Sequence, residues 1–418
     1  MIGRLDLALR TLAGPWLVLP MAILEIVNLT QLGAPWRGEA LWTADWMAIV
    51  LFVVGPLAAG FAAVDASRLT RPGAIHLAIV SARPHLAFIR AAMWCALPLL
   101  VVHTLAFATA LVIGGSPVTD VLRVDLLLGF GVQCLALIWY VALGSAVGRF
   151  TPPLLSGLIG AVTGLMLFYA LSAGGSDDFG ILALGGATVS RLGLRWNLDY
   201  LAVQALVLAV TAALLTAVPL ALRAGRRLPS RVGAGMLVAA MLIVLVSQTA
   251  ADPGRRNLLA TPEPPTLCFE LEPTICFHEQ HSRFAEPIAA QINALTDAAR
   301  EAGYDAFVPD RLEEESRSYT PEAGTWGFLP ELEVYRGEPW PTEDLIQGLV
   351  APAHCAELSD GDAPPGDAYW RSISSLVWTW SDLIGEEYVP FDDERVLTPD
   401  EVASVLAAFE RCELEAGW

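Results

Sequence analysis

The sequence predicts an α-helical polytopic membrane protein of about seven transmembrane helices, followed by a small α+β extracytoplasmic domain. Three observations predict it. Hydrophobic residues make up 55% of the 418, and the mean hydropathy is +0.52. Uncharged or nearly uncharged stretches of about 20 residues, enough to cross a hydrocarbon core of roughly 30 Å as helices, recur as far as residue 251 and then stop. Charge divides at the same place. Residues 1–251 carry 15 arginines against 10 acids, and residues 252–418 carry 10 arginines against 34 acids. Residues 1–251 are therefore read as the transmembrane domain and 252–418 as an acidic domain with a core of its own.

The first span, near 11–30, follows a short stretch bearing Arg4 and Arg10. It has no small-residue cleavage site and reads as a retained helix, not a signal peptide. Further spans are expected near 46–64, 91–113, 126–148, 154–172 and 202–222. The seventh, 232–251, is preceded by Arg223, Arg226, Arg227 and Arg231. With a cytoplasmic N-terminus, the inner segments collect eleven arginines, whereas the outer ones hold Arg37, Arg123, Arg191 and Arg195. Positive charge marks the cytoplasmic side. The expected location is thus the plasma membrane, with the terminal domain outside.

The cysteines are consistent with that side. Cys268, Cys276, Cys355 and Cys412 all lie in the terminal domain, an even number in a compartment that permits disulfides. Three pairings are open. Cys268–Cys276 with Cys355–Cys412 is favoured, because TLCFELEPTICF reads as two short strands joined at 271–273, and the second bond would tie the last helix to a distant loop. Cys95 and Cys134, in apolar spans, read as inert small hydrophobes.

After the hairpin, Ile288, Ile292, Leu295, Ala299 and Ala302 form a helical stripe, with Pro287 in the first turn and Gly303 at the end. An acidic, proline- and glycine-rich loop is expected to run to about Trp340. A second helix, 367–384, aligns Trp370, Ile373, Val377, Trp380 and Ile384. A third opens at Thr398-Pro399-Asp400-Glu401, a capping box, and runs to about Cys412.

All 25 basic residues are arginine, a usage that fits a GC-rich, actinobacterium-like genome. Without lysine there is no Walker-type phosphate loop and no Schiff-base chemistry. Any ATP-driven work must come from another polypeptide, and no cofactor is expected in this chain. The acidic terminal domain disfavours nucleic acid as a partner.

His278-Glu279-Gln280-His281 falls one residue short of the H-E-x-x-H zinc pattern, which sets two histidines four apart on one helical face. His278 and His281, with His354 as a distant third ligand, are therefore weak metal candidates. A surface turn with hydrogen-bonded histidines is the expected reading.

Within the spans, Glu25, Asn28, His103 and Gln133 lie at comparable depths. Polar groups there are expensive and mark substrate paths or helix–helix hydrogen bonds. Both readings stand, and the sharper one has Glu25 and His103 line a substrate path. The apolar stretch 173–201, broken by glycines and Arg191, suits a re-entrant or interfacial segment. Residues 65–90 interleave Ile75, Leu77, Ile79, Val80, Leu86 and Phe88 with arginines and histidines, as a helix at a membrane surface does.

This layout of six spans, a basic amphipathic connection after the second and a glycine-broken outer segment before the sixth resembles type-2 ATP-binding-cassette exporter permeases. The resemblance covers about residues 1–230 and is one of architecture. It implies a separate cytoplasmic ATPase docking on 65–90 through Arg68, Arg71, His76, Arg83 and Arg90. It also implies a homodimer, or a heterodimer with a related permease, moving an amphiphilic peptide, lipid or antibiotic outward. The seventh span and the terminal domain depart from the pattern. The alternative reading is a non-transporting receptor or assembly protein whose outer domain binds a ligand or partner. A third is a membrane metalloenzyme using His278, Glu279 and His281.

Overall fold

Among the described residues, five helices are long and apolar enough to cross a membrane: Gly14–Gly33, Ala40–Leu69, Leu86–Gly114, Val124–Phe150 and Leu198–Thr216. A sixth, Ser156–Ser172, is apolar but shorter. The computed structural model describes residues 11–70, 85–172, 180–223, 257–322, 324–355, 366–390 and 394–414. The expected seventh span, 232–251, lies outside the described residues. The chain is mostly helical with a small sheet region. It divides into a helical unit (Met1–Gln31, Ala40–Thr188, Arg195–Leu259) and a terminal unit (Leu32–Glu39, Val189–Leu194, Ala260–Trp418).

In the helical unit, a 3₁₀ turn at Gly14–Leu17 leads into α1, Val18–Thr30. The inward face of α1 is Met21, Glu25 and Asn28, while Leu19, Ile23, Ile26 and Val27 are exposed. This helix is apolar outside and polar inside. Helix α2 (Ala40–Met47) is buried at all eight positions, and α3 (Ile49–Leu69) carries Pro56. Apolar length alone places this span at 46; Glu39, Asp45 and the tryptophans lower the hydropathy of a turn that packing buries.

Helices α4 (His85–Gly114), α5 (Val124–Phe150), α6 (Ser156–Ser172) and α7 (Leu198–Arg223) complete the bundle. Its tightest seam runs along α3. A Cβ on Gly144 or Gly148 of α5 would collide with the carbonyls of Ala59 or Ala63. A Cβ on Gly160 of α6 would lie 2.8 Å from the Ala63 side chain. The buried residues of α6 are Ser156, Gly160 and Gly164, four apart, the small-residue spacing that lets helix backbones approach closely. At the lower end of α3, buried Asp65 accepts the Ala13 and Gly14 N–H groups, both at 2.7 Å, and so satisfies the start of the first helix.

The terminal unit holds a four-stranded sheet, β1 (Leu267–Phe269), β2 (Thr274–Phe277), β3 (Arg311–Glu314) and β4 (Trp326–Phe328), in that order. β1 and β2 form the expected hairpin, and Cys268 pairs directly with Cys276 across it. Cys355 bonds Cys412, the favoured partition. β2–β3 and β3–β4 are parallel, so β2, helix α8 (Ser282–Glu301) and β3 make a βαβ unit. The stretch expected to be loop as far as Trp340 thus contains two strands. β3 reads Arg-Leu-Glu-Glu, and nothing in that composition announces a strand with buried glutamates.

α8 buries Ile288, Ile292, Leu295 and Ala299 as expected, but it begins at Ser282 and sets Pro287 inside; Ala302 is its exposed cap. Helix α9 (Thr342–Val350) was not anticipated. In α10 (Asp367–Leu383), Ile373, Val377 and Trp380 are buried, whereas Trp370 faces out and Tyr369 takes its place. α11 (Pro399–Glu410) opens with the Thr398–Glu401 capping box.

Candidate functional site

Three of the four polar residues expected along the spans, Glu25, His103 and Gln133, fall into one network in the helical unit. The Nδ1 atom of His103 on α4 is 2.8 Å from Glu25 Oε1 on α1, and its Nε2 atom is 3.3 Å from Gln133 Oε1 on α5. Glu25, His103 and Gln133 are 2%, 0% and 1% exposed. Gln133 donates through Nε2 to the carbonyls of Ala44 (2.8 Å) and Leu184 (3.4 Å), which fixes Oε1 toward His103. Phe130 stacks on the imidazole and on Phe107. Asn28 sits one turn beyond Glu25. It donates to the Trp46 carbonyl at 3.2 Å and accepts Trp46 Nε1–H on its own carbonyl at 2.8 Å, so it serves helix packing.

Leu184 belongs to an unwound segment, residues 180–188, between α6 and α7. Ile181, Leu182 and Leu184 are buried although this backbone forms no helix. Its polar groups are met by side chains from the surrounding helices. Gln204 Nε2 reaches the carbonyls of Gly180, Ile181 and Ala183 at 3.2, 3.0 and 3.1 Å. Tyr200 bonds Gly180, Trp42 Nε1–H donates to Ala187 O, and Asp45 accepts the Ala187 N–H at 2.8 Å. Gly185 and Gly186 both have positive φ, and a Cβ on Gly185 would press on Asp45. Residues 173–179 of the expected re-entrant stretch lie outside the described residues, and Arg191 belongs to the terminal unit.

The terminal unit has its own buried cluster, built on the near-zinc motif. His278 closes β2 and His281 ends a 3₁₀ turn before α8. His281, 0% exposed, donates from Nδ1 to Glu314 of β3 and from Nε2 to Glu39 Oε1, the latter at 2.9 Å. Glu39 also accepts Ser190 Oγ–H (2.7 Å) and Arg191 N–H (2.9 Å). Glu314 accepts His278 N–H at 2.8 Å. Burial by itself lowers the His281 imidazole, but Glu314 and Glu39 outweigh it and raise it to about 9. Burial pushes the neighbouring His278 down, so two histidines of one turn carry different charge.

The surface-turn expectation needs one correction: Glu279 is exposed, but His278 and His281 are buried, and Glu39 and Glu314 supply the charge that lets His281 be so. The two nitrogens of His281 face two different carboxylates, Glu314 and Glu39. His354 is elsewhere, bonded to the Glu410 carbonyl at 3.1 Å. Among the described residues, the one group with donor atoms within 4.8 Å of one another is His354, Cys355 and Cys412, and its sulfurs are bonded to each other.

Of the basic residues expected to dock an ATPase, Arg68 and Arg90 are exposed, at the ends of α3 and α4. Arg68 donates to the Thr11 carbonyl at 3.2 Å and lies 3.7 Å from Asp65. Arg71, His76 and Arg83 lie outside the described residues. Sequence reasoning missed Gln204, Tyr200, Asp45, Glu39 and Glu314. The rule that flagged Gln133 applies equally to Gln204, a polar side chain in an apolar span. Glu39 and Glu314 carried no such signal, being acids in presumed loops.

Neither family models, curated proteins nor solved structures gave a match.

Proposed function

We propose that this chain is the membrane-embedded permease subunit of an exporter driven by a separate cytoplasmic ATPase. It works as a homodimer, or with a related permease, to move an amphiphilic substrate outward. In this reading the bundle crosses a plasma membrane seven times, the N-terminus is cytoplasmic and the terminal unit is extracytoplasmic. The observation that carries it is the buried unwound segment 180–188, held by Gln133, Gln204, Tyr200 and Asp45 and joined through Gln133 to His103 and Glu25. Inside a bilayer, irregular backbone survives only where protein or a cavity shields it, and buried ionisable groups beside it mark the transport path. Anchoring alone needs neither. With no lysine in the chain, ATP hydrolysis falls to a partner.

The test is purification in mild detergent from the native host, with mass spectrometry of co-purifying proteins. The expected result is a stoichiometric soluble protein carrying a Walker motif, lost when Arg68 and Arg90 are both changed to Glu. Repeated recovery of an intact complex without an ATPase would overturn the reading. One observation then favours a receptor or assembly role. The terminal unit incorporates Leu32–Glu39 and Val189–Leu194, stretches that lead directly into α2 and out of the unwound segment. A ligand on that unit would act on both.

A further inference from the structure

We infer that His354, Cys355 and Cys412 form a zinc site in the reduced chain, and that the Cys355–Cys412 disulfide is its oxidised, metal-free form. The inference goes beyond the permease reading and does not depend on it.

The donors already converge. One ligand atom of His354 and the two sulfurs lie within 4.8 Å of one another. A tetrahedral zinc, with Zn–S of about 2.3 Å and Zn–N of about 2.0 Å, sets its sulfurs about 3.8 Å apart and each about 3.5 Å from the nitrogen. The Cα atoms of Cys355 and Cys412 are 5.5 Å apart, so once the bond is cut, rotation of the side chains alone opens the sulfurs to that spacing. Local backbone bonds hold both residues without the disulfide. Cys355 N–H donates to Pro352 O at 3.0 Å. Cys412 N–H donates to Phe409 O and Glu413 N–H to Ala408 O, both at 2.9 Å, closing the end of α11. Reduction therefore frees two sulfurs without releasing the backbone that carries them.

His354 is prepared as a ligand. Its Nε2 atom is 3.1 Å from the Glu410 carbonyl, which only accepts, so Nε2 carries the hydrogen and Nδ1 of the neutral ring keeps its lone pair. A zinc-binding imidazole is oriented in this way, its other N–H held by a backbone carbonyl. The place is also open to solvent. His354 and Glu410 line a cleft of the terminal unit with Pro321, Thr325, Trp326 and Pro352. Water or the Glu410 carboxylate supplies the fourth ligand from that cleft. A protein dithiol performs the reduction. Its thiolate attacks the sulfur of Cys412, the half-buried partner, and the Cys355 sulfur leaves and takes a proton. The second thiol of the reductant then frees Cys412, so the reductant ends as a disulfide and this chain as two thiols. Zinc displaces the two thiol protons as it binds.

The experiment uses the full chain in detergent, either oxidised or reduced with a phosphine, and zinc alone as probe in competition with a chromophoric chelator. Reduction should tighten zinc binding by about a hundred-fold or more, with about two protons released per zinc at pH 7. Hydrogen exchange locates the metal. Zinc should restore the protection of α11 that reduction removes, and leave the β1–β2 hairpin with its own cysteine pair unchanged. His354 is half-exposed and lies outside the disulfide, so His354→Ala should keep the oxidised fold. In the reduced chain it should lose about ten-fold or more in zinc affinity, at least the cost of losing an outer-shell partner. Equal zinc affinity before and after reduction, zinc protection confined to the hairpin, or unchanged affinity in His354→Ala would each overturn the inference. The first two need no variant to fold.

Discussion

Replacing His281 by Phe should loosen the terminal unit by an amount that can be worked from its two partners. The side chain sits against Phe284 and Tyr335, so a phenyl ring fits the space. What is lost is the positive charge between Glu39 and Glu314. Removing one partner of a buried ion pair costs about 3–5 kcal/mol, because the remaining charge stays desolvated. The pH linkage gives a compatible figure. The imidazole rises from 6.5 unfolded to about 9 folded, which corresponds to about 3.5 kcal/mol at about 1.4 per pH unit. A group raised on folding stabilises fully below its unfolded value, so this contribution is complete below about pH 6.5 and is lost as pH climbs through 9. The assay is hydrogen exchange with mass spectrometry on the full chain, following amides of β2, α8 and β3 as protection factors corrected for intrinsic rate at each pH. A loss of about 3.5 kcal/mol is about a three-hundred-fold drop in protection at pH 6. The triple variant His281→Phe, Glu39→Gln, Glu314→Gln should recover most of it, since no buried charge remains. Protection within three-fold of wild type at pH 6, or protection in the wild type that does not fall between pH 6 and 10, would refute the reasoning.

Further outcomes follow from other contacts. Reducing Cys355–Cys412, whose partners are 57 residues apart, should cost about 4 kcal/mol by the loop-entropy relation. Exchange in α11 read before and after reductant checks it, and no change would count against the bond as a stabiliser. Gly144→Ala, whose methyl would strike the Ala59 carbonyl, should destabilise by about 1–3 kcal/mol. Gly131→Ala in the same helix meets nothing within 4 Å and should be neutral or stabilising, so melting of the two variants by tryptophan fluorescence separates packing from propensity. Burial raises Glu315 to about 7, so the wild type loses stability as pH rises from 4.5 through 7. Glu315→Gln should therefore be about 1–3 kcal/mol more stable above pH 7 and equal to wild type near pH 4, measured as amide protection in β3.

Much of the fold was legible because its signals are local. Helices stand at six of the expected spans, since each is an apolar stretch of helical length marked by its own composition. The hairpin at Cys268 and Cys276, the α8 stripe and the Thr398 cap were readable from spacing over a dozen residues or fewer. The meeting of Glu25, His103 and Gln133 was readable for a different reason. A polar side chain in an apolar helix must turn inward, and inward faces at one depth converge. β3 and β4 were not legible. Their strand character comes from parallel neighbours supplied by a crossover, and Arg-Leu-Glu-Glu holds neither alternation nor β-branched residues.

By itself, the sequence determined the division into an apolar bundle and an acidic domain, the polar suspects in the spans, and the exclusion of a nucleotide loop by the absence of lysine. These are properties of composition and of short-range periodicity, which any chain carries whatever its partners in space. Tertiary structure alone decided that His281 lies between Glu314 and Glu39, the latter 242 residues away in sequence. It alone decided that the glutamine amides face the unwound carbonyls of 180–188. A buried charge or a free carbonyl has to be satisfied by whichever group packing delivers, and no local pattern encodes a partner that arrives from another helix.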